Sequence, residues 1–174
     1  MRSTSRVGEI GRAAAVAAMI GITGAAAPVF AASASTNLGV SATVINNCLI
    51  STSALAFGSY DPVVANSAAD LDGTGVVSVA CTKGVSPTIA LGLGSNASGS
   101  TRRMGDGSGN YLTYELYKES GHVTVWGAAL GALLSPSAAP SKAARDFTVY
   151  GRVTSGQDAT AGSYTDTVVA TVNF

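Results

Sequence analysis

The sequence predicts an all-β protein with an immunoglobulin-like β-sandwich, and three observations carry this prediction. After residue 32 the chain shows almost no helical periodicity. Short runs in which apolar residues alternate with small or polar ones recur instead, separated by Gly, Asp, Asn and Ser. The chain contains 21 glycines and only 11% charged residues, a composition that suits short strands packed against neighbours.

Residues 1–31 predict a cleaved signal peptide. Three arginines precede an apolar stretch that begins at Ala13, and Val29 and Ala31 fit the −3 and −1 positions of a cleavage site. A retained membrane anchor is the alternative, but this stretch is rich in alanine and glycine and contains a proline, so its preference for hydrocarbon is weak. We therefore expect export, with residues 32–174 as the mature chain.

The mature chain has the length of one ordinary domain. Residues 1–31 hold three of the ten basic residues and one of the ten acidic residues, so the remainder is weakly acidic. A nucleic-acid partner would need a basic face to neutralise phosphates, and none is predicted.

Cys48 and Cys81 are the only cysteines. In an exported protein an even number of cysteines predicts a disulfide. A redox or metal pair is the alternative, but there is no CxxC spacing and only one histidine.

The predicted strands follow the alternating runs along the chain. Residues 128–144 are rich in alanine but are interrupted by Gly131, Pro136 and Pro140, so we expect a loop there. The runs that predict strands are 38–44, 77–81, 88–91, 112–116, 123–126, 147–150 and 165–174.

No active site is predicted, so we expect a protein that is not an enzyme and needs no cofactor or metal. His122 is the only possible histidine base, and we expect it to open a strand after a hairpin turn. Residues 105–110 offer a single carboxylate, too few oxygens for calcium, and predict a hairpin loop. Arg102 and Arg103 are expected to be solvated loop charges.

The two ends of the mature chain carry the remaining candidates. The run 165–174 finishes at Phe174, and an apolar terminal strand can expose an edge that pairs with another chain. Residues 38–44 have the pattern of a strand donated to another sheet, although they equally fit a first strand that pairs within its own domain.

The sequence resembles the spore coat protein U domain family, which includes subunits of archaic, Csu-type chaperone–usher pili. The resemblance covers the whole mature chain in order, and its ending is the most specific part. The matching segments are 40–44, 55–62, 77–82, 103–104, 112–117, 125–127, 149–153, 161–167 and 172–174.

This resemblance implies a sandwich that lacks its last strand and is completed by a donor strand from a partner. A periplasmic chaperone would lend a strand first, and an outer-membrane usher would then exchange it for the N-terminal extension of the next subunit. Residues 32–46 would be this extension and 47–174 the pilin domain. The inserted side chains would be Leu38, Val40, Ala42 and Val44; the edge of the acceptor groove would be Val168, Ala170, Val172 and Phe174; and Cys48 and Cys81 match the family's disulfide positions.

Ala42 is smaller than the large aliphatic residue expected at a donor position, so its pocket is expected to be shallow. The predicted function is that of a structural subunit of a cell-surface pilus that supports adhesion or biofilm formation. A spore or cell coat protein with the same domain is the first alternative. A carbohydrate-binding module that stacks sugars on Trp126 and the tyrosines is the second.

Overall fold

The computed structural model describes residue 28 and residues 30–174. The predicted signal peptide, 1–31, therefore lies outside the described residues except for positions 28, 30 and 31. The chain divides into two units, Met1–Ser41 and Ala42–Phe174. In the first unit, the described residues form no helix or strand and are exposed. No helix among the described residues has the length and hydropathy to cross a membrane.

The second unit is built from seven β-strands and the loops between them. Its described residues contain no helix, which confirms the prediction of an all-β fold. The strands are β1 (Cys48–Ser53), β2 (Leu71–Cys81), β3 (Thr88–Leu91), β4 (Arg102–Gly105), β5 (Tyr111–Tyr117), β6 (Arg145–Val153) and β7 (Ala170–Asn173).

Two antiparallel sheets form the sandwich. Five strands make the larger sheet in the order β1-β2-β6-β5-β4, and β3 pairs with β7 in the smaller one. The longest pairing joins β2 to β6, from Leu71 opposite Val153 to Val79 opposite Arg145. β2 therefore runs the full height of the domain, and we call its two ends the turn end, at Leu71, and the disulfide end, at Cys81.

Alternation explains why β2 and β6 occupy the centre of the larger sheet. Val77, Val79 and Cys81 of β2 are buried, as are Val149 and Val153 of β6, while their neighbours along each strand are more exposed. Side chains of a strand point alternately to its two faces, so each strand sends one apolar row into the core.

Trp126 lies at the centre of the core and is fully buried, with 0% exposure. Its indole Nε1 donates a hydrogen bond to the carbonyl oxygen of Ile89 at 3.0 Å, which ties the loop after β5 to β3. The prediction that Trp126 offers a surface for stacking sugars is wrong because the ring meets no solvent. The predicted strand 123–126 is reduced to one bridge, between Tyr117 and Val125.

Arg102 is the second residue that the structure places against expectation. It was predicted to be a solvated loop charge, but it lies in β4 with 1% exposure. It forms an ion pair with Glu115, and its guanidinium donates to the carbonyl oxygens of Leu91, Gly92 and Trp126 at 2.8–3.1 Å. This side chain therefore joins both sheets and the loop that carries the tryptophan, because five donors in a planar fork can reach several acceptors at once.

The remaining predicted strands agree with the structure to different degrees. Residues 77–81, 112–116 and 147–150 lie within β2, β5 and β6, and 88–91 coincides with β3. The run 165–174 becomes a strand only at Ala170–Asn173, and residues 38–44 form none. His122 lies in a turn with a φ of 51° and opens no strand.

Replacing Arg102 with alanine is expected to lower the free energy of unfolding by about 3–5 kcal/mol, because Glu115 and three carbonyl oxygens lose a buried partner. Arg103→Ala is the matched control. Arg103 was also expected to be a solvated loop charge, but it is half-buried in β4. It stacks on the ring of Tyr111 and donates one hydrogen bond to Asn96 O, so its loss should cost only about 1 kcal/mol. Denaturant unfolding followed by the fluorescence of Trp126 measures both, and equal effects would contradict the role assigned to Arg102.

Candidate functional site: an open apolar groove

The segment 165–173 pairs with its neighbours along one edge only. Val169 O accepts from Gly92 N at 2.9 Å, and Thr167 O accepts from Ser95 N at 3.1 Å. Thr165 exchanges two hydrogen bonds of 2.9 Å with Gly105. The odd-numbered residues of this segment therefore direct their backbone groups towards β3 and β4.

The even-numbered residues of the same segment direct their backbone groups the other way. Successive residues of an antiparallel strand hydrogen-bond to opposite sides, and the pair Gly92–Val169 is hydrogen-bonded, so the next pair, Leu91 opposite Ala170, is not. In the described part of the chain no strand is hydrogen-bonded to the segment on that side. The N–H and C=O groups of Asp166, Val168 and Ala170 thus form an unpaired edge.

The segment 54–59, which follows β1, forms a second bank opposite this edge. β1 pairs with β2 as far as Ser53, and no backbone hydrogen bond within the described residues involves 54–59. Its side chains nevertheless alternate, with Leu55 and Phe57 partly buried and their neighbours exposed. It is an extended segment without a partner for its backbone.

Glycines in the central strands allow this bank to lie close to the sheet. Gly73 of β2 is the register partner of Gly151 of β6. A Cβ added at Gly151 would lie 2.8 Å from atoms of both Leu55 and Phe57, and one at Gly73 would lie 3.0 Å from Ala56 O. Any side chain at these positions would push the bank outwards, which is the usual reason for glycine in a strand interior.

Between the two banks lies a cavity of about 1030 Å³ that opens into the sandwich. We call it the open groove, bounded by residues 52–60 on one side and 159–170 on the other. Its volume reaches the upper end of the range for small-molecule pockets. Apolar side chains of both sheets form its floor: Leu71, Val77, Leu91, Met104, Leu112, Leu116, Val149 and Val153.

A single carboxylate interrupts the apolar lining. Asp166 Oδ2 accepts a hydrogen bond of 2.7 Å from the Tyr114 hydroxyl, and Oδ1 accepts from Asn96 N at 3.0 Å. Burial raises the pKa of Tyr114 well above its usual value, and the bond to Asp166 raises it further. The hydroxyl therefore stays protonated and donates, so Asp166 is held at the groove wall by its own partners.

Just before Asp166 in the chain, a second tyrosine, Tyr164, fixes the bend that leads into the groove wall. The Tyr164 hydroxyl donates to Thr160 O at 2.7 Å, the kind of tyrosine corner found in immunoglobulin-like sandwiches. This bond closes the bend that leads the chain from β6 to the segment 165–173.

The four residues predicted for the groove edge fall into three positions. Val168 and Ala170 line the groove. Val172 packs against the core opposite Ile89. Phe174 is 56% exposed and does not line the cavity.

The cysteines Cys48 and Cys81 form a disulfide, as the sequence predicted. They are register partners in β1 and β2. Just before Cys48, Asn47 is tied to Thr82 by two hydrogen bonds: Asn47 N donates to Thr82 Oγ1 at 3.1 Å, and Thr82 N donates to Asn47 O at 2.9 Å. The pairing of β1 with β2 is therefore continued by one residue on the N-terminal side of Cys48.

The predicted donor residues are exposed and lie outside any strand. Leu38 and Val40 are each 87% exposed and Val44 is 82% exposed; Ala42 is also exposed. Isolated surface residues of this kind need no explanation, but here apolar residues alternate with small or polar ones over seven positions, the pattern of a half-buried strand.

The other residues considered from the sequence as chemical candidates, Asp106 and His122, make contacts that stabilise loops and packing. Asp106 accepts from the backbone N–H groups of Ser108 and Asn110 and so shapes the β4–β5 hairpin. The His122 ring lies edge-on to Tyr117 and Tyr150, and its Nε2 is 3.8 Å from Asp72. No group of three or more potential metal ligands occurs among the described residues.

Comparisons with known proteins point to one family and one fold. The model of the Spore Coat Protein U domain matches residues 34–171. Protein U of Myxococcus xanthus is 42% identical over 160 residues, which cover 84% of this chain and 88% of that protein.

A solved structure shares the fold at lower sequence identity. It is a chain from the CsuC–CsuE chaperone–tip adhesion subunit pre-assembly complex from the archaic chaperone–usher Csu pili of Acinetobacter baumannii. The TM-score is 0.55 and the identity 21%; the match covers 76% of this chain and 41% of that chain. The present chain thus spans less than half of that chain, and the likeness agrees with an immunoglobulin-like sandwich.

Replacing Tyr114 with phenylalanine is expected to destabilise the domain by about 1–2 kcal/mol, because Asp166 loses a donor in a partly buried site. Tyr111→Phe is the matched control on the same strand, since the Tyr111 ring is 43% exposed and its hydroxyl has no partner among the described hydrogen bonds. Denaturant unfolding of the two variants gives the comparison. If both variants unfold at the wild-type midpoint, the Tyr114–Asp166 bond does not hold the groove wall.

Proposed function

The chain belongs to the Spore Coat Protein U domain family, and we propose that it is a structural subunit of a cell-surface pilus. Its open groove receives a strand from a neighbouring copy, and its own extension, residues 32–46, fills the groove of the next. Residues 47–174 form the pilin domain. The polymer supports adhesion or biofilm formation.

One observation carries this proposal: an apolar groove lies between two backbone edges that both lack partners. A small ligand would fill the cavity but would leave these N–H and C=O groups unpaired. An added strand satisfies both, because its backbone pairs with the edges while alternate side chains enter the cavity. The exposed row Leu38, Val40, Ala42 and Val44 supplies such a strand.

The geometry of the domain favours one direction for the inserted strand. The segment 159–173 starts near Gln157, whose backbone N donates a hydrogen bond of 2.9 Å to the Tyr60 hydroxyl at the turn end. It finishes at Asn173, opposite Thr88 and close to the disulfide end. A donor that runs antiparallel to this segment brings its Val44 out at the turn end of the acceptor.

A parallel donor would meet an obstacle. It would place the disulfide end of the donor subunit against the disulfide end of the acceptor. The extension of the acceptor itself starts there, at Asn47 beside Thr82, so two chains would compete for the same space. Antiparallel insertion instead joins the disulfide end of one subunit to the turn end of the next, and this arrangement repeats without limit.

The proposal includes the partners that such an assembly needs. An unpaired edge beside an apolar groove would pair with unrelated strands, so a periplasmic chaperone occupies it after export through the signal peptide, 1–31. An outer-membrane usher then exchanges the chaperone strand for the extension of the next copy. Ala42 would enter the shallowest part of the groove.

A coat protein of a spore or cell is the second candidate, favoured by the similarity to Protein U over most of its length. The same groove and extension would then link subunits in a layer instead of a fibre. Genes for a chaperone and an usher next to this one would favour the pilus. A carbohydrate-binding module has lost its main support because Trp126 is buried.

Deletion of residues 32–44 tests the strand exchange. The full mature chain is expected to form multimers that resist detergent and dissociate on heating, because many backbone bonds and several buried side chains must break together. The deleted chain should remain monomeric in the same gel assay. Detergent-resistant multimers of the deleted chain would rule out the extension as the donor.

Single substitutions in the extension give a sharper test of the inserted face. Val40→Asp places a charge in the apolar groove and should abolish the multimers, since an unpaired buried charge is strongly unfavourable. Ser41→Asp, one residue along, points away from the groove and should assemble nearly as the wild type does. Equal loss in both variants would contradict the alternation on which the donor assignment depends.

A further inference from the structure

A tightly bonded turn at residues 61–67, the valine turn, exposes two apolar side chains beside the open groove. Asp61 Oδ1 accepts from Val63 N at 2.9 Å and from Val64 N at 3.1 Å, and Asp61 O accepts from Asn66 N at 2.7 Å. The side chain of the buried Asn66 adds a further bond, in which its Oδ1 accepts from Asp61 N at 3.0 Å. The turn is thus fixed in shape while Val63 is 81% and Val64 74% exposed.

The valine turn is anchored at the turn end of the domain. Asn66 O accepts from Gly156 N at 2.8 Å, and the Tyr60 hydroxyl donates to Thr154 O at 3.1 Å. Thr154 and Gly156 directly follow the last residue of β6. Pro62, the first residue after Asp61, also lines the open groove, so the turn lies at the mouth from which an antiparallel donor emerges.

The opposite end of β2 carries a second, smaller cavity of about 270 Å³, which we call the disulfide cavity. Leu49 and Ala80, which are register partners, form its apolar wall with the Cys48–Cys81 disulfide, and Lys142 lies at its rim. Leu49 is 69% exposed. Asn47 and Thr82, where the extension leaves the domain, also line it.

The valine turn and the disulfide cavity cannot contact each other within one molecule. β2 has 11 residues and so spans roughly 33 Å between the turn end and the disulfide end. In an antiparallel strand exchange, however, Val44 of the donor leaves the acceptor's groove at the valine turn. Only residues 45–47 then separate it from the donor's own disulfide cavity, a reach of about 10 Å.

We propose that the valine turn of each subunit docks into the disulfide cavity of the subunit whose strand it has accepted. The partner is a second copy of this chain, because the inserted donor strand holds the donor's disulfide cavity within reach of the acceptor's valine turn. This contact rests on the proposed function and adds a second connection to it. It is heterologous, so it repeats along the fibre and fixes the angle between neighbouring subunits.

Cysteine cross-linking in the assembled full chain tests the contact. The double variant Val63→Cys with Leu49→Cys is oxidised after assembly, and the products are boiled in detergent without reductant. We expect a ladder of covalent multimers that a reductant collapses, and mass spectrometry should find a peptide pair joining positions 63 and 49 with the Cys48–Cys81 bond intact.

The matched control is Val123→Cys with Leu49→Cys, since Val123 is equally exposed, at 82%, but belongs to the loop after β5. This pair should give at least tenfold less cross-linked product. If the unoxidised multimers form but the 63–49 pair yields no more product than the control, the second contact is wrong and the strand exchange stands. If the wild-type chain forms no multimers, the proposed function and this contact both fail.

Discussion

The requirement that backbone groups find hydrogen-bond partners governs this structure more than any single side chain does. Within the sandwich the sheets meet this requirement, and the smaller sheet continues through the irregular segment 165–169 by bonds to Gly92, Ser95 and Gly105. Along the open groove it is not met, since neither Asp166–Ala170 nor 54–59 has a partner on that side within the described residues. Buried backbone groups without partners are unfavourable, so the groove is stable only when it is exposed to water or filled by a strand.

Three structural features stabilise the sandwich around the open groove. The glycines of β2 and β6 let the bank at Leu55 and Phe57 lie against the sheet. The disulfide joins β1 to β2 at the disulfide end of the domain, where Cys48 and Cys81 are register partners. Arg102 connects the loop of Trp126 to the ends of β3 and β4. Each feature replaces part of the cohesion that a further strand would supply.

Much of this fold follows from the sequence because alternation is a local signal. β2, β5 and β6 are recognisable since their apolar residues recur at every second position over at least five residues. The disulfide is predictable because the sequence has only two cysteines and its first residues predict export. These inferences need no knowledge of which strands are neighbours.

What the sequence could not predict depends on long-range contacts. Arg102 and Arg103 are adjacent and identical in type, and only the position of Glu115 and of the carbonyl groups across the sandwich makes one buried and the other a surface residue. The bank at residues 54–59 was not predicted as a strand, and no backbone hydrogen bond within the described residues involves it. Residues 38–44 show the reverse case: their alternation predicted a strand, but they form none in the domain and their side chains are exposed. Under the proposed strand exchange, the sheet that would bury them belongs to another copy.

The exposed alternating segment 38–44 and the open groove belong to one sequence, and the link between them limits whether the segment can enter the groove of its own domain. If the extension filled the groove of its own domain, residues 45–47 would have to reverse direction, but Asn47 is held in line with β1 by its bonds to Thr82. An arrangement that hinders self-insertion raises the fraction of extensions available to another copy. In the proposed assembly, the short link between domain and extension would therefore contribute as directly as the inserted side chains do.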